Sequence, residues 1–147
     1  MTDDKNTDVS AASRLKKHAG SCHCKAVRFT VEVDLSKGAG RCNCSICTKL
    51  SQLGVIVKPE TFELISGEEH LSTYEWGAKI SQRHFCKHCG VLCFGRGFLE
   101  QVGGDYVSVN VNALDDVDPA LVSTYYFDGR HDNWMAGTRS APWPIWA

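Results

Sequence analysis

The sequence has no excess of positive charge: 16 lysines and arginines stand against 17 aspartates and glutamates, for a formal net charge of -1. A nucleic-acid binder draws much of its affinity from neutralising phosphates, so this balance argues against DNA or RNA as a partner. Nor does the chain hold an unbroken apolar run of about 18 residues, the length that marks a membrane-crossing helix. Its opening, MTDDKNTDVSAASRLKKHAG, is acidic and small-polar where a secretory signal needs a basic start and an apolar stretch. A cytoplasmic location is therefore expected. Long stretches of helical period are missing as well, and so are internal repeats of about 20 to 50 residues.

What is present fits one domain. With 147 residues, 43% of them hydrophobic, the chain can bury roughly two-thirds of its unfolded surface around a single core, and it needs no cross-links to fold. Residues 1–17 are polar, without apolar periodicity, and read as a mobile tail; residues 18–147 read as the folded domain. In AVRFTVEV, Val27, Phe29, Val31 and Val33 alternate with polar residues, the period of a half-buried strand. Further strands are expected over 53–57, 61–65, 71–76, 79–85, 91–95, 106–111 and 123–127, divided by turn formers such as Lys58-Pro59, Ser66-Gly67 and Gly103-Gly104. Short strands with frequent turns predict an all-β domain, with at most one or two helical turns, over 45–50 and near 119–122.

Cysteine, by contrast, is abundant. Seven of the eight fall into three clusters: Cys22-His-Cys24, Cys42-Asn-Cys44-Ser-Ile-Cys47 and Cys86-Lys-His-Cys89-Gly90. In a reducing compartment, clustered thiols bind metal or do chemistry more often than they cross-link. Cys86 and Cys89 have the spacing of a zinc knuckle, and the glycine after them lets the backbone curl beneath an ion. A structural zinc site takes four ligands, so this pair needs a second pair, and spacing leaves open whether Cys22/Cys24, Cys42/Cys44 or Cys44/Cys47 supplies it. Whichever pairing holds, seven cysteines cannot fill two four-cysteine sites. One set is left with three thiolates and an open position, the arrangement of catalytic zinc, unless Cys93 or a histidine such as His131 closes it. His23 and His88, between ligand cysteines, are expected to face solvent, and Cys93 reads most simply as a small core residue.

The ordered set CHC (22–24), CNCSIC (42–47), FCKHCG (85–90) and FDGRHDNW (127–134) resembles the glutathione-dependent formaldehyde-activating enzyme family, which also includes centromere protein V. The resemblance covers Gly20 to Trp146. It implies a zinc-containing β-tent built from antiparallel sheets, with Cys22, Cys24, Cys86 and Cys89 as a closed structural zinc site. It likewise implies that Cys42, Cys44 and Cys47 hold a second, catalytic zinc, giving two zinc ions per chain. The implied activity is that of a carbon-sulfur lyase acting on a small thiol adduct such as S-hydroxymethylglutathione, with glutathione as co-substrate. Expected partners are a small thiol or its adduct, with a homo-oligomer left open. Arg28, Arg41, Lys49 and Arg130 are candidates for pairing with glutathione carboxylates and are as easily solvated surface charges. Two other functions use the same features: a non-catalytic zinc-stabilised protein-binding module, and a thiol redox or zinc-buffering protein.

At the C-terminus, Trp143, Ile145 and Trp146 are expected to pack across the sheet as a lid, with Pro142 and Pro144 keeping the segment extended. In FDGRHDNW, Asp128 and Asp132 are candidates for orienting a neighbour of a metal ligand, but Asp128-Gly129 reads more simply as a turn.

Overall fold

The computed structural model of the protein describes residues 14–146. Most of the expected tail, residues 1–13, lies outside the described residues. Strand β1 (Lys16–Ser21) begins two residues before the expected boundary, with Lys16 and Lys17 opposite Val33 and Glu32 of β2 (Arg28–Val33). Its sequence, KKHAGS, has neither alternation nor β-branched residues, which is why the local pattern does not announce it.

The fold is all-β. β2 pairs antiparallel with β1 on one side and with β5 (Phe62–Ser66) on the other, completing a three-stranded sheet. The second sheet has seven strands in the order β10-β3-β4-β9-β8-β7-β6. Its members are β3 (Ala39–Cys42), β4 (Gly54–Val57), β6 (Leu71–Tyr74), β7 (Ser81–Cys86), β8 (Leu92–Leu99), β9 (Gly104–Asn110) and β10 (Thr124–Phe127). Each strand expected from periodicity is found, with ends displaced by a few residues; β1 and the four-residue β3, AGRC, are additions.

The core lies between the sheets. The alternation in β2 sends Phe29 and Val31 inward, where the Phe29 ring meets Phe62 of β5 at 5.4 Å and Phe94 of β8 at 6.2 Å between centroids. Val107 and Val109 of β9 are fully buried beside them. Burying one such side chain is worth about 1.5–3 kcal/mol, so this cluster supplies much of the force that joins the sheets.

Two features depart from the expected architecture. The sheets are not wholly antiparallel, because β10 runs parallel to β3, with Phe127 opposite Cys42. Single 3-10 turns also exceed the one or two expected: besides α1 (Ser45–Leu50) and the turn at Pro119–Leu121, they occur at Leu35–Lys37, Pro59–Thr61 and Gly129–His131, among others. A three-residue turn between strands has no period to detect.

The parallel pair positions the site. Parallel strands finish at the same edge, so the residues after Cys42 and those after Phe127 leave the sheet side by side although they are far apart in sequence.

Candidate active site

The first sulfur set joins two tight turns. After β1, Lys25 takes a left-handed conformation (φ 68°) and its N–H bonds Cys22 O, folding Cys22 and Cys24 together. After β7, Gly90 does the same at φ 80°, its N–H bonding Cys86 O at 2.8 Å. The four sulfurs of Cys22, Cys24, Cys86 and Cys89 lie within 4.8 Å of one another. A tetrahedral ion with sulfur at about 2.3 Å sets neighbouring sulfurs about 3.8 Å apart. Cys22 Sγ to Cys24 Sγ and Cys24 Sγ to Cys86 Sγ are each 3.7 Å, so the set fits such an ion, whereas a disulfide needs about 2.05 Å. Backbone N–H groups of Val27 and His88 donate to Cys22 Sγ and Cys86 Sγ, each at 3.3 Å. All eight cysteines are free thiols.

The second set is Cys42, Cys44 and Cys47, again with sulfurs within 4.8 Å of one another. Among the described residues no fourth cysteine, histidine or carboxylate shares that spacing. Cys42 ends β3, Cys44 caps the start of α1 and Cys47 lies one turn in, so a strand end and a helical turn fold three sulfurs onto one point. Hydrogen bonds from Cys42 and then Cys47 pull the Cys44 thiol down to about 2, with Arg83 adding to the pull through its charge. Contacts with Cys42 and Cys44, and then burial, push Cys47 up.

The frame that holds the trio comes from the neighbouring strand end. Asn43, between the first two cysteines, donates through Nδ2 to Asp128 Oδ1 at 2.8 Å and accepts from the Arg130 N–H at 2.9 Å. Arg130 Nε donates to Asn43 O at 2.8 Å. Asp128 is buried and also receives hydrogen bonds from His131 Nδ1 at 2.7 Å and Asn133 Nδ2 at 3.2 Å. Burial alone would raise its carboxyl; the hydrogen bonds from Asn43, His131 and Asn133, with the charge of His131, outweigh burial and hold it below the usual carboxylate range. A Cβ on Gly129 would stand 2.5 Å from Cys42 Sγ and 2.8 Å from the Trp134 ring, so only glycine allows that approach.

Beside the trio is a cleft of about 300 Å³ lined by Ile46, Leu50, Tyr74, Arg83, Phe85 and Leu92, with Gly90, which follows Cys89, also in its lining. Arg83 Nη2 reaches Cys47 Sγ at 3.9 Å, linking cleft and sulfurs.

Other sequence candidates fall elsewhere. Cys93 is fully buried in β8, where burial pushes its thiol up to about 12 with further pressure from the charges of Cys22 and Cys86; it backs the first set and does not join the second. His131 serves Asp128 and is not grouped with the trio, while His23 and His88 are exposed. None of Arg28, Arg41, Lys49 or Arg130 lines the cleft: Arg28 and Arg41 bond backbone oxygens of Lys25 and Ser51, and Arg130 holds Asn43. Asp128 is a buried hub rather than merely a turn residue. Arg83 is not among the sequence candidates, although its alternation with Phe85 along β7 puts it on that residue's face. The expected lid is partial: Trp143 is half-buried and donates to Tyr126 O at 3.0 Å, but Trp146 is exposed.

The sequence pattern of the family described as "Glutathione-dependent formaldehyde-activating enzyme" matches residues 17–128. A Halomonas elongata protein named "Putative glutathione-dependent formaldehyde-activating enzyme" is 39% identical over 80 residues, covering 48% of this chain and 50% of its own. The chain therefore spans about half the length of that curated relative. A crystal structure of a Rhodobacter sphaeroides protein is similar with a TM-score of 0.61 and 29% identity, covering 69% of this chain and 92% of that one.

Proposed function

The chain belongs to the glutathione-dependent formaldehyde-activating enzyme family, and from that premise we propose that it is a zinc-dependent enzyme joining a small thiol to an aldehyde and reversing the step as a carbon-sulfur lyase. In the forward direction a thiol adds across the carbonyl of formaldehyde to give an S-hydroxymethyl adduct: one carbon-sulfur bond forms, the carbonyl π bond breaks, and the thiol proton ends on the former carbonyl oxygen. Glutathione and S-hydroxymethylglutathione are the pair that the family description suggests.

The observation that carries this reading is the convergence of Cys42, Cys44 and Cys47 as a set of three, beside a cleft. Cys22, Cys24, Cys86 and Cys89 make the closed counterpart, a structural zinc site. Zinc held by three thiolates keeps a position for an incoming sulfur and favours its deprotonated form. The chain's own residues supply the rest. Asp128 and Asn43 keep the Cys42–Cys44 backbone in place, Gly129 allows Cys42 its position, and Arg83 offsets negative charge at Cys44 and Cys47.

The test combines zinc analysis with exchange NMR of formaldehyde and a panel of small thiols that includes glutathione. The unaltered protein should carry two zinc ions and accelerate interconversion of free and adduct forms. Cys44→Ser should lose the acceleration and one zinc while keeping its fold. Unchanged exchange in that variant would refute the proposal, and so would a protein that takes up one zinc only.

A further inference from the structure

The lining of the cleft beside the trio is one-sided. Ile46, Leu50, Phe85 and Leu92 make its walls apolar, Tyr74 adds a ring, and Arg83 is its single cationic lining residue. Arg83 is half-buried, and among the described residues it takes part in none of the ion pairs; its side-chain hydrogen bond goes to Cys47 Sγ. A guanidinium held against apolar side chains is incompletely solvated, and a planar anion such as a carboxylate restores what it lacks.

Glutathione suits these walls poorly. It carries two carboxylates and an ammonium, and apolar side chains with one cation leave most of that charge without a partner. A volume of about 300 Å³ is also at the small end for a ligand site.

We propose that the cleft receives the body of the thiol substrate, that this body is mainly apolar with a single carboxylate, and that Arg83 binds the carboxylate and so positions the sulfur toward Cys42, Cys44 and Cys47. This rests on the thiol-aldehyde reading above and names the substrate class of the same site. Arg83 is here a binding and positioning residue. Its rival role, only balancing the charge of the trio, predicts no preference for an anionic ligand.

The test is isothermal titration of the zinc-loaded protein with three probes whose sulfur is blocked: 3-(benzylthio)propanoate, its methyl ester, and S-methylglutathione. The carboxylate should bind about tenfold or more tightly than the ester, the scale of one charge-assisted hydrogen bond, and more tightly than S-methylglutathione. Arg83→Gln should abolish the difference between acid and ester, and Arg83→Lys should restore part of it. Equal binding of acid and ester by the unaltered protein, or preference for S-methylglutathione, overturns the proposal and needs no variant. Failure here alongside catalysed glutathione-formaldehyde exchange would sink the substrate class alone. The expected probe ranking without catalysed exchange for any thiol would leave the cleft assignment standing and remove the proposed function.

Discussion

Asn43 and Asp128, 85 positions apart, are joined by a 2.8 Å hydrogen bond that ties the middle of the CNC segment to the end of a strand entering from the other side of the sequence. The bond exists because β3 and β10 run parallel and end together. It makes the geometry of the Cys42–Cys47 set depend on a residue that binds no metal itself.

Asp128→Asn should weaken zinc retention at the second set while sparing the first, measured as zinc released to a mild chelator. Its effect on stability should also depend on pH. The folded-state pKa of Asp128 lies below its ordinary value, so its contribution is complete above the unfolded pKa of about 3.9 and is lost as pH falls through the lower folded value. The stability gap between parent and variant should therefore be widest near neutrality and narrow toward the acid end. A constant gap in denaturation across that range would contradict the assignment.

Gly129→Ala adds a methyl group 2.5 Å from Cys42 Sγ, a contact that a short side chain cannot swing away from. Bound zinc should fall from two ions to one. Trp134, whose ring the same methyl meets, should change its fluorescence. Full zinc content with an unchanged spectrum would mean that the Cys42 sulfur has more room than the structure gives it.

Cys86→Ser and Cys44→Ser should behave oppositely. Cys86 is fully buried, and with zinc at the first set as proposed, losing its thiolate removes metal-binding energy that is also folding energy. A fall in Tm of roughly 10 °C or more is expected. Cys44, half-buried outside the core, should cost far less. Calorimetry of both variants decides the matter, and equal losses would erase the distinction between a structural set and an open one.

Phe29→Ala should destabilise the domain by about 3–5 kcal/mol in denaturant unfolding, because the ring bridges both sheets and its removal leaves a cavity. A loss below about 1 kcal/mol would show that the sheets close over the gap.

Local order carried much of the protein's description. The alternation Val27, Phe29, Val31 determined both a strand and its buried face, and the cysteine spacings picked out every sulfur that the fold gathers. Such patterns are legible because a strand's faces and a knuckle's turn are set by residues a few positions apart. The joining of Cys22 and Cys24 to Cys86 and Cys89, the alignment of β10 with β3, the burial of Asp128 and the approach of Arg83 to Cys47 were decided in tertiary structure. These contacts span tens of residues, and they form only when the packing of Phe29, Phe62 and Phe94 brings two sheets together, an outcome of the whole core rather than of any one segment.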